Sequence, residues 1–191
     1  MSTTFQQHVR KFITISDDEL TAILSFFKTL APARKANLLQ EGAVCKQDYF
    51  VLKGCLRLFF IDDRGVERTT QFAIENWWIS DYTSLLFQTP SEFYIQAVEK
   101  SEILAISGED KEAMLAAHPK MERYLRLVHQ RAHAATQYRI RYQWDFSKEE
   151  LYLHFSRQFP EFVQRVPQHL LASYLGLTPE YLSELRARRI S

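Results

Sequence analysis

Two cysteines, Cys45 and Cys55, and five glycines are all that 191 residues contain of either type. Two thiols cannot staple a disulfide scaffold, and an iron–sulfur cluster, which takes four thiolates, is excluded. A haem would have only Cys45 or Cys55 as a thiolate ligand. With so few glycines there is no phosphate-cradling loop, and neither Gly-x-Ser-x-Gly nor Cys-x-x-Cys occurs. No apolar run reaches 18 residues, so no membrane-spanning helix is expected. Residues Met1 to Phe12 lack the apolar core of a secretory signal, which makes reduced thiols and a cytoplasmic setting the expectation. Histidine is missing from residues 9–117. A β-barrel there has no imidazole for the metal of a barrel enzyme. His129 and His133 stand four apart on one helix face and could share a metal, but solvated or interfacial positions are the expectation. The chain reads as no enzyme, and no metal or other cofactor is assigned.

Hydrophobic residues make up 46% of the chain, enough for the cores of one or two small domains. The net charge of +1 hides an asymmetry. Residues 1–117 carry 12 basic and 16 acidic side chains, a net −4, and residues 118–191 carry 12 and 7, a net +5. A basic module attracts phosphate backbones.

The front half reads as strands after a helical opening. Ser16 with Glu19 forms a capping box ahead of the apolar period Leu20, Ile23, Leu24, Phe27 and Leu30, a helix that Pro32 ends. Short runs follow at Asp48–Leu52, Cys55–Phe60, Arg68–Phe72, Phe93–Val98 and Glu102–Ile106. Lys53-Gly54 and the hairpin sequence Asp62-Asp63-Arg64-Gly65 separate the first three. Such spacing predicts a compact barrel or jelly roll.

The back half reads as helices. Met121, Leu125, Val128, Ala132, Ala135 and Tyr142 fall at four-three spacing, with Arg139 interrupting. The stripe predicts a seam along a helix of about 25 residues; it could merely pack on the chain's own barrel, but at about 37 Å the helix is longer than such a barrel needs, which favours pairing with a second copy of the chain. In the last 25 residues, Leu171, Leu175, Leu177, Leu182 and Leu185 occupy the positions two crossing helices bury. Ala172 is small where they approach, and Gly176 suits a left-handed turn. Thr178 is a good N-cap and Pro179 a good first helical residue. These are the marks of a helix-turn-helix, followed by basic Arg186, Arg188 and Arg189. With Leu182 and Leu185 inward, Glu180, Ser183, Glu184 and Ala187 face out, flanked by Tyr181 and Arg188.

On Asp48–Gly54, Asp62–Gly65 and Val166-Pro167 through Arg186, the chain resembles Crp/Fnr-type transcriptional regulators from end to end. It is similar to the short Bacteroidetes-type members through Glu75–Ile79 and Ala172–Pro179. The resemblance implies an α+β fold of three parts. Residues 1–117 would form a cyclic-nucleotide-binding-like jelly-roll sensor, 118–145 a dimerisation helix and hinge, and 146–191 a helix-turn-helix domain. The chain's end at Ser191 implies a truncated or absent wing. The dimer helix would use Leu125, Val128, Ala132, Ala135 and Tyr142. DNA contacts fall on Gln168, Thr178, Pro179, Glu180, Tyr181, Ser183, Glu184, Arg186, Arg188 and Arg189, with Arg165 for the phosphate backbone. Relatives usually carry Arg where this chain has Glu184. Implied partners are double-stranded DNA at a palindromic site, a second copy, RNA polymerase and an unidentified small-molecule effector; no membrane is involved.

The effector pocket maps by resemblance to Ser80, Asp81, Tyr82, Thr83, Ser91, Glu92 and, on the dimer helix, Thr136. Ser80-Asp81 and Ser91-Glu92 replace the Gly-Glu and Arg-Ser pairs that hold a cyclic phosphate. No Lys or Arg lies between Arg68 and Lys100. A phosphate would meet carboxylates without a cation, so the sequence argues against cyclic AMP in the usual mode. Trp77, Trp78, Tyr82, Phe87 and Phe93 are candidates either for an apolar pocket or for barrel core. The alternatives are a cyclic-nucleotide-responsive regulator with an altered phosphate site, and an interaction module that no longer grips DNA. A hinge is expected near Asp145-Phe146-Ser147.

Overall fold

A computed structural model describes residues 3–190, apart from the side chains of Arg189 and Ile190. The Arg189 assignment therefore lies outside the described side chains. Two four-stranded antiparallel sheets face each other. One runs in the order β1 (Lys28–Leu30), β8 (Glu102–Ser107), β3 (Gln47–Lys53), β6 (Trp78–Ile79), and the other β2 (Asn37–Leu39), β7 (Tyr94–Ala97), β4 (Leu56–Ile61), β5 (Glu67–Ala73). Side chains alternate across each strand, and both faces of the first sheet are covered. Tyr49, Val51, Ile79, Ile103 and Ala105 point between the sheets to meet Leu56, Leu58, Ile95 and Ala97. Their neighbours Phe50, Trp78, Leu104 and Ile106 point out of the first sheet, under helices α1 (Thr3–Arg10) and α2 (Asp17–Leu24).

The helix expected to run to Leu30 stops at Leu24. Ser25 caps it, its hydroxyl donating to the Ala22 carbonyl, and Lys28–Leu30 pairs with Ile103–Ala105 as β1. The apolar period continues past the cap because Phe27 still packs into the same core. The capping box of Ser16 and Glu19 is formed.

A short helix α3 (Tyr82–Phe87) interrupts the second half of the barrel. Helix α4 (Gly108–Ala117) leads to α5 (Lys120–Asp145), a 26-residue rod. Four helices complete the described chain: α6 (Lys148–Gln158), α7 (Pro160–Arg165), α8 (Gln168–Leu175) and α9 (Pro179–Ile190). No strand follows α9 among the described residues.

The stripe on α5 meets its own chain rather than open space. Met121, Tyr124 and Leu125 are buried in the sensor core and Val128 packs against it, while Tyr142 packs into the core of the last four helices. Only Ala132 and Ala135 of the expected seam are exposed. At the hinge expected near Asp145–Ser147, Phe146 stacks on Tyr142 at 5.1 Å, and Ser147 opens α6 with a capping box to Glu150.

Candidate effector cradle and nucleic-acid interface

The segment assigned to an effector closes on itself. Asp81 is the N-cap of α3. Its carboxylate accepts the Thr83 and Ser84 amides at 3.1 and 3.2 Å and the Ser91 hydroxyl at 2.6 Å. Ser80 is buried and donates to the Gln47 carbonyl at 2.9 Å. Ser84, also buried, accepts the Cys45 amide at 2.8 Å and donates to the Thr89 carbonyl at 2.5 Å. The donors that could greet an anion at this turn therefore already hold Asp81. Glu92 and Thr83 are exposed, and Thr136 sits on the exposed middle of α5, donating to the Ala132 carbonyl at 3.0 Å. The aromatic residues do not converge on one pocket. Trp77 and Phe87 are 47% and 67% exposed, Trp78 lies under the N-terminal helices, and Phe93 lines the barrel interior. They follow alternating strand faces and loop exposure rather than one concave surface.

Beside this cradle lies a buried ionisable cluster that sequence reading missed. Asp48 on β3 is fully buried; it accepts the Tyr82 hydroxyl at 3.3 Å and pairs with Lys111 of α4 at 3.3 Å. Burial pushes the Asp48 carboxyl up to about 6, against the opposing pull of Lys111 and Tyr82. The Tyr82 ring meets His129 of α5 edge-on at 5.3 Å. Burial, and secondarily Lys111, lowers the His129 pKa. Asp48 thus ties β3 to α3 and α4, and the Tyr82 ring carries the contact on to α5. Its only trace in the sequence is an acid at the start of an otherwise apolar strand. A second buried relay runs from the Trp78 indole N–H to the Tyr124 hydroxyl (3.0 Å), which stands 2.9 Å from His8 Nδ1. Burial, then Lys11 and Arg131, pulls His8 down to about 4, so a neutral ring faces the Tyr124 hydroxyl.

The thiols are buried and free, and burial raises Cys55 to about 12. Among the described residues no group of three His, Cys, Asp or Glu is placed to hold a metal. No described helix is long and apolar enough to cross a membrane.

Helices α8 and α9 form a tight two-helix unit. Gly176 takes φ +69°, and the Leu177 and Gly176 amides return to the Ala172 and Ser173 carbonyls at 2.9 and 3.3 Å, a Schellman close. Thr178 caps α9 through the Tyr181 amide at 3.2 Å. Leu171, Ala172, Leu175, Leu177, Leu182 and Leu185 form the core, with Leu151, Tyr152 and Val163 behind them. Outward stand Gln168, Thr178, Pro179, Glu180, Ser183, Glu184, Ala187 and Arg188; Tyr181 and Arg186 are half-buried. Glu184 accepts from Arg188 at 2.5 Å. Arg165, expected on a phosphate backbone, is instead ion-paired with Glu75 and Glu99 of the sensor.

Residues 33–118 match the cyclic nucleotide-binding domain family. No curated protein is matched by sequence. Among solved structures, the chain is similar to the c-di-GMP responsive global regulator CLP of Xanthomonas campestris (TM-score 0.71, 15% identity, 91% of each chain covered). It is also similar to FixK2 of Bradyrhizobium japonicum (0.69, 13%, 85% of this chain and 83% of that one). The catabolite activator protein of Thermus thermophilus gives 0.56 at 22% identity over 93% and 84%. The likeness to these structures is one of fold: a β-sandwich that carries the cyclic nucleotide-binding match, a long helix and a C-terminal helical unit.

Proposed function

We propose that this chain is a dimeric, DNA-binding transcriptional regulator of Crp/Fnr type whose sensor does not take a cyclic nucleotide in the usual mode. The observation that carries the reading is the α8–Gly176–α9 unit, capped and packed as a helix-turn-helix with one face of α9 outward. Glu180, Ser183 and Glu184 would reach base edges, where Glu accepts from cytosine and Ser bonds either way. Arg186 and Arg188 would serve phosphates. Two copies would present two such helices to successive major grooves of a palindromic site.

Dimerisation would use the outer face of α5, opposite the apolar stripe. Gln130, His133, Gln137, Ile140 and Trp144 recur at three-four spacing, are exposed, and carry no formal charge with histidine neutral. Trp144 is 86% exposed, and polar residues within a seam favour one register. Against a cyclic phosphate stands the Asp81 carboxylate, already seated on the amides and hydroxyl of the cradle. One observation favours an interaction module instead: Glu184 holds Arg188, leaving fewer free cations on the outward face of α9.

The test is a fluorescence-polarisation titration with the chain's own upstream region against a random duplex, at two salt concentrations, with and without cyclic AMP. Salt-sensitive, sequence-selective binding unchanged by the nucleotide is the expected result. Binding only with cyclic AMP would refute the closed cradle. Binding to neither duplex would favour the interaction module.

A further inference from the structure

We propose that Arg165, Ser173 and Arg139 are positioning residues for DNA reading, fixing the helical unit on the second sheet so that the sensor sets the attitude of α9 through β5 as well as through α5. The proposal rests on the regulator reading above.

Strand β5 is the edge of its sheet, and its ladder with β4 slips between Leu58 and Phe59. A bulged edge leaves backbone groups that must find partners. Here side chains of the long helix and the helical unit supply them. The Ser173 hydroxyl donates to the Glu67 carbonyl at 2.8 Å and accepts the Thr69 amide at 2.9 Å. Arg139 donates to the Thr70 carbonyl and lies 4.8 Å over the Tyr174 ring. A single hydroxyl serving both an acceptor and a donor fixes the position of α8 along the strand.

The second anchor is Arg165, in the last turn of α7. It forks onto both oxygens of Glu75 at 2.8 Å each, and its Nε donates to Glu99 at 2.9 Å. Glu75 also accepts the Gly54 amide at 2.8 Å. Burial opposes its ionisation, but Arg165 and Gly54 outweigh burial and hold the carboxyl at about 2. Apolar contacts join the two anchors: Cys55, Phe72 and Val98 of the sensor meet Val166 and Leu170, and Phe72 lies 5.1 and 5.2 Å from the rings of Phe162 and Tyr174.

An apolar patch alone resists separation but permits sliding and rotation. Directional bonds on two elements remove both freedoms. The clamp leaves Glu180, Ser183 and Glu184 uncovered, so it orients the reader without blocking it. In a two-fold dimer the spacing and tilt of two α9 helices must match one turn of DNA. Misorientation then costs selective binding, while phosphate-driven binding to any duplex tolerates it.

Arg165→Ala, Ser173→Ala and Ser173→Thr in the full chain test this by two readouts. One is hydrogen exchange of the Thr69–Gln71 amides, and the other is the affinity for the upstream duplex relative to a random duplex. Both alanine variants should speed exchange in β5 by about tenfold with β3 and β8 unchanged. They should also cut the selectivity ratio by about tenfold, with random-duplex affinity kept within about threefold. Ser173→Thr, which keeps the hydroxyl, should retain both properties. Unchanged β5 exchange overturns the clamp. Equal loss on both duplexes, the mark of a merely structural role, overturns the positioning claim. A wild-type chain that does not distinguish the duplexes overturns the regulator reading and the DNA half of the proposal with it, while exchange reports on the clamp separately.

Discussion

Asp48 makes the fold's pH dependence calculable at one site. Its carboxyl is fully buried and sits at about 6 in the folded chain, against 3.8 for an unperturbed Asp. Between those values the folded state holds a proton that the unfolded state has released. Stability therefore falls as pH rises through the window, and below it the contribution is complete. The full shift corresponds to about 3 kcal/mol, of which about 2 kcal/mol is lost between pH 4.5 and 7.5. Other groups act over the same range. His8, pulled down to about 4 by burial, is neutral when folded but takes a proton above that pH when unfolded, so its slope has the opposite sign. The comparison must therefore be a difference. Asp48→Asn keeps the size and an acceptor oxygen for the Tyr82 hydroxyl but removes the titration. Urea denaturation of both proteins at pH 4.5, 6 and 7.5 gives the difference directly. The stability of wild type minus that of the Asp48→Asn variant should fall by about 2 kcal/mol across the series, whatever constant offset the lost Lys111 ion pair contributes. A difference flat with pH would refute the argument, because Asp48 would then titrate alike folded and unfolded.

Gly54→Ala should cost about 3 kcal/mol in chemical denaturation, because φ is +106° and an added Cβ would stand 2.7 Å from the Ser101 Cα. Ile140→Glu with Trp144→Glu should turn dimer into monomer in sedimentation equilibrium. The thermal midpoint of the single chain should stay near wild type, since these side chains are 48% and 86% exposed. Glu184→Gln should raise random-duplex affinity and steepen its salt slope by about one unit, because Arg188 is released from its partner.

Legibility in the sequence followed the range of the interaction that decides each feature. The α8–α9 unit was readable because every position has a local reason: Gly176 for the left-handed turn, Thr178 for the cap, leucines for the crossing. Five of the eight strands among the described residues were readable from turns and alternation, while β1, β2 and β6, only two or three residues long, are too short to show a period. The α5 stripe shows the limit. Periodicity identifies an apolar face but not what it meets, and Leu125 and Tyr142 meet their own chain. α2 was read too long because Phe27 continues its face after the backbone has left the helix. Arg165 looked free because its partners Glu75 and Glu99 lie 90 and 66 residues away. No local pattern announces such a pair, and none announced that Asp48 would be buried beside Lys111.

These non-local contacts bear on how a signal could cross the molecule. The cradle is held shut by Asp81, and an entering anion would have to displace a carboxylate bound by two amides and a hydroxyl. No cation in residues 69–99 would compensate it. A change at α3 nevertheless has a way out, because Tyr82 touches both Asp48 and His129 and so reaches α4 and α5. A change in the second sheet has another, through Gly54, Glu75 and the β5 bulge to Arg165 and Ser173. The first route leads to α5, the rod that would join two copies under the proposed function, and the second to the α8–α9 unit that would read DNA. Because α5 is anchored at Leu125 on the sensor and at Tyr142 on the helical unit, neither route can shift its end without loading the other. A signal that tilts α9 must therefore strain the exposed middle of α5 or break the clamp.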